Sequence, residues 1–270
     1  MTLEEAIAKI KPLDHNAMEI AQKRWDSIAK PLHSLGKLET LLIQIAGITG
    51  NAEVDLSRRG LIAMCADNGV VEEGVTQTGQ EVTAIVAENF LKYDTSVGVM
   101  CKQNHAEIFP VDMGMVTDTK VRTDHKIAYG TQNMTKGPAM TREQAVKGLE
   151  AGIDMVRELN DKGYRILATG EMGIGNTTTS SAVASVLLKQ PVEEMTGRGA
   201  GLTSEGLVRK INAIKKAIAL NKPDPEDAID VLAKVGGLDI AGMAGVFLGG
   251  AVYGIPVVMD GFISCVSALI

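Results

Sequence analysis

The stretch 168–180, with the sequence ATGEMGIGNTTTS, concentrates residues that could bind an anion. Glycines let backbone N–H groups approach an anion closely, and the start of a helix adds unpaired donors and a positive dipole end. Hydroxyl donors follow directly at Thr177, Thr178, Thr179 and Ser180. These features favour a phosphate site after a strand. A glycine-rich turn followed by a capped helix explains the same residues without a ligand.

Two details separate this stretch from the common phosphate motifs. GxxxxGK[ST] is absent, and Ile174 and Asn176 break the spacing of GxGxxG. Glu171 adds a carboxylate, which would repel a phosphate unless it contacts ribose hydroxyls, a cationic centre or a proton. We therefore take Glu171 as the candidate catalytic residue of this stretch.

A second glycine-rich run, GRGAGL at 197–202, leads into a predicted helix that contains Arg209 and Lys210. Glycines with one well-placed lysine supply the counter-charge that a phosphomonoester needs. The alternative is that Lys210 is an ordinary solvated helix residue.

Composition limits the classes of function. The 270 residues suit one large domain, or one with a small appendage. A net charge of −6 and 3% aromatic residues argue against nucleic acid, which requires a basic face or stacking side chains. The surviving classes are an enzyme and a small-molecule binder.

The cysteines and histidines give no metal or disulfide pattern. Three cysteines lie far apart without CxxC spacing, and four histidines include no HExxH. We predict no metal and no disulfide framework. The amino-terminal 25 residues are charged and amphipathic rather than a secretory signal, which favours a cytoplasmic protein.

Short apolar runs that alternate with helical patterns must position these residues. The runs 61–65, 107–111, 165–168 and 255–259 each precede an Asp, Glu or Gly. Helical periodicity covers 16–29, 37–48, 80–92, 141–160, 177–188, 203–220 and 226–235, and Thr2 with Glu5 suggests a capping box. This alternation predicts an α/β fold with a mostly parallel sheet covered by helices. Ligands of such sheets bind beyond the carboxyl ends of the strands.

The uncharged run 240–259 reaches the length of a membrane span. Gly249–Gly250 and the break at 254–256 instead predict a short helix and a strand in the core. Ala241, Ala244 and Gly245 would then pack closely against the sheet.

Several long blocks resemble one family, the nicotinate-nucleotide:dimethylbenzimidazole phosphoribosyltransferases. They occur in family order almost from end to end. The blocks are PLHSLGKLE at 31–39, ADNGV at 66–70, EVT at 81–83, NF at 89–90, VDMG at 111–114, GTQNM at 130–134, GPAMT at 137–141, GEMGIGNTT at 170–178, GRG at 197–199 and IPVVMDGFIS at 255–264.

The resemblance implies a Rossmann-like domain at 56–270, a small helical region at 1–55, and a homodimer with sites near its interface. It also implies the reaction. A ring nitrogen of an aromatic base attacks C1′ of nicotinate mononucleotide, nicotinate leaves, and the β configuration inverts to α, giving an α-ribazole 5′-phosphate. The pyridinium is already a good leaving group, so no metal or other cofactor is implied. The protein must position the reactants and remove a proton.

Motif matching assigns roles to single residues. Glu171 would lie near the ribose or the attacking base. The phosphate and nucleotide residues implied are Gly173, Gly175, Asn176, Thr177, Gly199, Lys210, Asp260 and Gly261.

One departure concerns the carboxyl terminus. In the family, the general-base glutamate lies in a glycine-flanked segment beyond the block at 255–264, and this chain ends at Ile270. We therefore expect a shortened chain that lacks that glutamate. Val266, Ala268, Leu269 and Ile270 are apolar, and we expect them to pack against a following helix or a partner, since a buried large apolar side chain contributes about 1.5–3 kcal/mol.

The other departure concerns the base. Family members have an aromatic residue and a proline where this chain has Thr78–Gly79. They have a glutamine at the position of Ile85 and a histidine at the position of Asn68. Relatives accept purines, other benzimidazoles or, as paired subunits, phenols. We predict a base more apolar than dimethylbenzimidazole, or differently hydrogen-bonded. The base-pocket residues implied are Gln77, Thr78, Ile85 and Met172.

The leading hypothesis is an active phosphoribosyltransferase. The alternative is a catalytically silent nucleotide-binding paralogue, or a subunit of a mixed dimer. An NAD-dependent dehydrogenase is disfavoured because the dinucleotide fingerprint is absent.

Overall fold

Four parallel strands form one sheet in the computed structural model, which describes residues 1–270. The strands are β1 (Arg59–Ala66), β2 (Ala106–Gly114), β3 (Ile166–Met172) and β4 (Val257–Val258), in the spatial order β2-β1-β3-β4. All four predicted strands are therefore confirmed, although β4 is short. The last five residues of β1 are buried because helices cover both faces of the sheet.

Twelve α-helices and one 3₁₀ helix connect and cover the strands. Residues Gly69–Glu73 form the 3₁₀ helix. The α-helices are α1 (Leu3–Lys9), α2 (His15–Ser27), α3 (Lys37–Thr49), α4 (Glu81–Lys92), α5 (Ser96–Gln103), α6 (Arg142–Asp161), α7 (Asn176–Leu187), α8 (Val192–Met195), α9 (Ser204–Asn221), α10 (Ala228–Val235), α11 (Leu238–Tyr253) and α12 (Phe262–Ser267).

The predicted helices are present with ends within two residues of the predicted ones. The Thr2–Glu5 capping box also forms. The sequence patterns missed α5, α8 and α12. Each of these has eight residues or fewer, too short for a helical period to be distinguished from a turn.

Helix α11 shows that the predicted break of the run 240–259 at Gly249–Gly250 is wrong, whereas the predicted break at 254–256, followed by a strand, is confirmed. It continues through Gly249 and Gly250 and ends at Gly254, whose φ of +65° closes it. A Cβ at Gly249 would lie 2.8 Å from the Val156 Cβ, so this glycine permits close packing instead of ending the helix. The predicted place of the run in the core is confirmed.

Ala241 and Gly245 of α11 pack against helix α6, so the prediction that these small residues pack against the sheet is wrong. A Cβ at Gly245 would overlap the Leu149 carbonyl oxygen of α6. Ala241 approaches Gly148 of α6, while Gly242 is the residue that faces Met64 and Met113 of the sheet. The close approach of α6 and α11 therefore requires glycine at Gly148 and Gly245.

Helix α1 packs on the α6–α11 pair through Leu3 and Ala6, while α2 and α3 pack on each other. Near the carboxyl terminus, Val266 is buried and Ile270 packs against the core, whereas Leu269 is 45% exposed. No helix combines the length and the apolar character that crossing a membrane requires.

Candidate active site

The carboxyl ends of the strands bring acidic residues to one edge of the sheet. In the strand register Cys65 pairs with Asp112, and Met64 pairs with Glu171. Asp67 and Asp112 are fully buried there and hold loops: Asp67 Oδ2 accepts the Val116 N–H at 2.9 Å. Asp112 lies 3.1 Å from Lys126 Nζ. The acids at the carboxyl ends of β1 and β2 therefore have structural partners.

The acids at the carboxyl ends of β3 and β4 instead line a cavity. Glu171, Asp260 and Gly261 line a cavity of about 150 Å³, together with Thr177 and the start of α12. Burial raises the pKa of Glu171, and the Asp260 carboxylate raises it further, whereas a hydrogen bond from Asn176 lowers it. Glu171 is thus a carboxylate with increased affinity for a proton.

The loop between β3 and α7 is shaped by its glycines. Gly175 has a φ of +95°, and a Cβ at Gly173 would lie 2.5 Å from the Ala66 carbonyl oxygen. Gly175 is the N-cap of α7 and supplies no side-chain cap. Asn176 and Thr178 donate their backbone N–H groups to the Gly173 and Gly175 carbonyls, whereas the Thr177 N–H has no acceptor within the chain. One backbone donor at the start of α7 is therefore free for an anion.

Lys210 is buried, so its interpretation as a solvated residue is wrong. Its side chain runs from α9 to the start of α7, where Nζ donates to Thr177 Oγ1 at 2.7 Å and to the Gly197 carbonyl at 3.3 Å. It is 1% exposed, and this burial lowers its pKa to about 8. The ammonium makes no ion pair with a carboxylate and remains available to an anion.

The second glycine run lies against this lysine. Gly199 has a φ of +56°, and a Cβ there would lie 2.9 Å from Thr177 Oγ1 and 3.4 Å from Lys210 Nζ. Gly199 and Lys210 line a cavity of about 460 Å³ with Ser181 and Thr196. The two glycine runs and the lysine, separate in sequence, form one wall.

A third cavity of about 120 Å³ lies between residues 75–78, the loop at 173–177 and the run at 198–202. Gln77 and Thr78 line it, and the Gln77 side-chain amide donates to the Gly201 carbonyl. Thr177 borders all three cavities, so they meet at the first turn of α7.

Two predicted base-pocket residues lie outside these cavities. Ile85 is 57% exposed on α4. Met172 packs against the hydrophobic cluster between the sheet, α4 and α5. Of the four residues assigned to the base, the structure therefore brings only Gln77 and Thr78 to the cavity wall.

Sequence reasoning missed Asp239. It is fully buried in the first turn of α11, and its Oδ2 accepts a hydrogen bond from Asn176 Nδ2 at 2.9 Å. Asn176 Nδ2 also donates to Glu171 Oε2. Burial and the nearby Glu171 raise the pKa of Asp239 to about 7. The available signal was a single acid at the border of a long uncharged run.

Other features of the structure lack this convergence of functional groups. Two larger cavities of about 480 Å³ each lie by the end of α11 and between α2 and α3, with mainly apolar walls. One acid–histidine cluster, Asp124, His125 and Glu158, has ligand atoms within 4.8 Å of one another. Both carboxylates of this cluster, those of Asp124 and Glu158, already form ion pairs with Arg122.

Comparison with known proteins identifies the class. A family model described as Phosphoribosyltransferase matches residues 10–270. With the parallel sheet, the glycine-lined cavities and a buried lysine beside a helix start, this match defines the chain as a phosphoribosyltransferase.

Close relatives specify the family. A nicotinate-nucleotide–dimethylbenzimidazole phosphoribosyltransferase of Ruminiclostridium cellulolyticum is 54% identical over 100% of this chain and 77% of its own length. One from Clostridium acetobutylicum is 53% identical with the same coverage. The crystal structure of CobT from Thermus thermophilus superposes with a TM-score of 0.88 and 36% identity, over 94% of this chain and 77% of that one. The chain belongs to the nicotinate-nucleotide–dimethylbenzimidazole phosphoribosyltransferase family, which confirms the predicted family and fold.

Proposed function

We propose that this chain moves the 5-phosphoribosyl group of nicotinate mononucleotide to an aromatic base, giving nicotinate and an α-ribazole 5′-phosphate for cobamide assembly. The observation that carries the proposal is the convergence of three cavities at Thr177, beside one buried cation and one proton-accepting carboxylate. The names of the close relatives support the same reaction.

The phosphate occupies the wall formed by Lys210, Thr177, Gly199 and the loop from Gly173 to Asn176. Lys210 supplies the charge, and the start of α7 supplies the free Thr177 N–H and the positive end of the helix dipole. A buried cation binds a dianion strongly because little water competes for it.

The ribose and the reacting carbon lie towards Glu171, Asp260 and Gly261. Carboxylates near C1′ stabilise the positive charge that develops as nicotinate leaves. Glu171 accepts the proton that the base loses after its ring nitrogen attacks, and its raised pKa suits that role. Holding both reactants in place contributes up to roughly 7–11 kcal/mol of barrier reduction.

The base enters through the cavity beside Gln77 and Thr78. Its wall also contains Val75, Ile174 and Leu202, which suits a flat apolar ring. Ile85 and Met172 do not line this cavity, so they affect the choice of base only by shifting residues of the cavity wall or by contacting a partner subunit.

A homodimer in the cytoplasm is part of the proposal. Four large apolar side chains on one side of the sheet are 45–64% exposed on α4 and α5, which supports self-association: Ile85, Leu91, Val99 and Met100. Light scattering at micromolar concentration measures the mass, and a monomer would remove this part of the proposal.

The direct test is calorimetric titration with nicotinate mononucleotide, followed by a product assay against dimethylbenzimidazole, adenine and a phenol. Binding with formation of a ribazole phosphate supports the enzyme. Binding without turnover indicates a silent nucleotide binder, and absence of binding contradicts the proposed phosphate site. A preference for dimethylbenzimidazole over the other bases would contradict the predicted change in base.

A further inference from the structure

Asp239 occupies a site built around its side chain. A Cβ at Gly173 would lie 2.7 Å from Asp239 Oδ2, and a Cβ at Gly237 would lie 2.5 Å from Oδ1. Glycine on both sides leaves room for this one carboxyl group. Asp239 lines none of the cavities described above, so it contacts no reactant in them.

The surroundings of Asp239 contain no side-chain cation. Glu171, Asn176 and Asn68 face it, and Thr179 lies beside Asn68. The Cys65 thiol is also nearby: burial raises its pKa, and Asp112, Glu171 and Asp239 raise it further. The Oδ1 atom accepts the Ile240 N–H at 3.0 Å, in the first turn of α11. A fully buried carboxyl group without an ion pair costs stability, so its presence calls for a role beyond folding.

Asn176 links Asp239 to the reaction pocket. A side-chain amide nitrogen carries two hydrogens, and here one is directed to Glu171 and the other to Asp239. The amide could otherwise turn by 180° and present its oxygen to Glu171. Two acceptors on the nitrogen side hold it in one orientation.

We propose that Asp239 is a positioning residue for the phosphoribosyl transfer, which fixes the Asn176 amide and thereby holds the Glu171 carboxylate at the pocket. This inference rests on the proposed function of Glu171. Asp239 acts through Asn176 and touches neither the nucleotide nor the base.

Two substitutions separate positioning from folding. Asp239→Asn keeps a carbonyl oxygen that can accept from Asn176, whereas Asp239→Ala removes the acceptor. We expect Asp239→Ala to lower kcat about 10- to 100-fold, the effect of losing one buried hydrogen bond to a charged group. The Kd for nicotinate mononucleotide changes less than about threefold, and Asp239→Asn restores kcat to within about threefold of the wild type. Asp67→Asn is the matched control, a buried acid at the same edge without contact to Asn176.

Two kinetic outcomes overturn the proposal. One is that Asp239→Ala raises Kd while kcat stays constant. The other is that Asp67→Asn reduces kcat as strongly as Asp239→Ala does, which indicates a general effect on the fold.

A second measurement does not require turnover. Selective ¹⁵N labelling of asparagine, with Asn176→Ser for assignment, reports hydrogen exchange of the Asn176 side-chain amide. We expect slow exchange in the wild type, Asp239→Asn and Asp67→Asn, and faster exchange in Asp239→Ala. Equal exchange in all four proteins refutes the positioning role. If the wild type forms no product with any base, the proposed function fails while this test still decides the role of Asp239.

Discussion

Lys210 Nζ donates a hydrogen bond of 2.7 Å to Thr177 Oγ1 across 33 positions of sequence. This contact joins α9 to the first turn of α7 and brings both glycine-rich runs to one wall. Since the lysine is buried and unpaired, a bound phosphate would be its natural counter-charge.

Lys210→Met should abolish most nucleotide affinity. Loss of one buried charged hydrogen-bond donor costs about 1.5–3 kcal/mol, or roughly 10- to 100-fold in Kd. Calorimetry with nicotinate mononucleotide measures it. Lys215→Met is the control, because Lys215 lies on the same helix, is half exposed and pairs with Glu193. Equal losses in the two variants would disprove a specific phosphate contact.

Nucleotide affinity should fall as the pH rises through the pKa of Lys210, about 8. Below that pH the ammonium is charged and attracts the phosphate, and above it the neutral amine does not. The phosphate itself remains a dianion well above its second pKa of about 6, so it does not cause the change. Titrations between about pH 7 and about pH 9.5 test this, and Lys210→Met should remove the dependence. The same slope in that variant would assign the effect to another group.

Glu171→Gln should reduce turnover about 10²- to 10⁴-fold, the usual contribution of a positioned proton acceptor. The amide keeps the shape of the side chain but cannot take a proton. Nucleotide binding should change little, since the phosphate wall is intact. Single-turnover product formation is the measurement, and unchanged turnover with intact binding would refute proton transfer to Glu171.

Gly199→Ala should weaken nucleotide binding about tenfold, or about 1.4 kcal/mol. The residue has a φ of +56°, and the new Cβ would lie 2.9 Å from Thr177 Oγ1. Gly197→Ala is matched to it, because a Cβ there meets nothing within 4 Å. If both alanines bind nucleotide equally well, the run at 197–202 is not part of the phosphate wall.

Gly245→Ala should destabilise the fold without touching the site. Its Cβ would overlap the Leu149 carbonyl oxygen, and forcing α6 and α11 apart costs about 1–3 kcal/mol or more. Thermal unfolding should show a Tm lower by about 4–10 °C. Gly137→Ala serves as the comparison, since its Cβ meets open space. An unchanged Tm for Gly245→Ala would contradict the close contact of the two helices.

The sequence alone determined the parallel α/β fold, because apolar runs and helical periods are local patterns. It also identified both glycine runs and Glu171, since turns and helix starts depend on neighbouring residues. The family followed from long blocks of matching residues in order.

Tertiary structure decided which of these residues meet. Whether Lys210 is solvated or buried depends on α7, which lies some thirty residues away in sequence. Asp239 has no local signature of function, and its contact with Asn176 spans 63 positions. The side of α11 that meets α6, and the exposure of Ile85, likewise depend on long-range packing, which a local pattern does not encode.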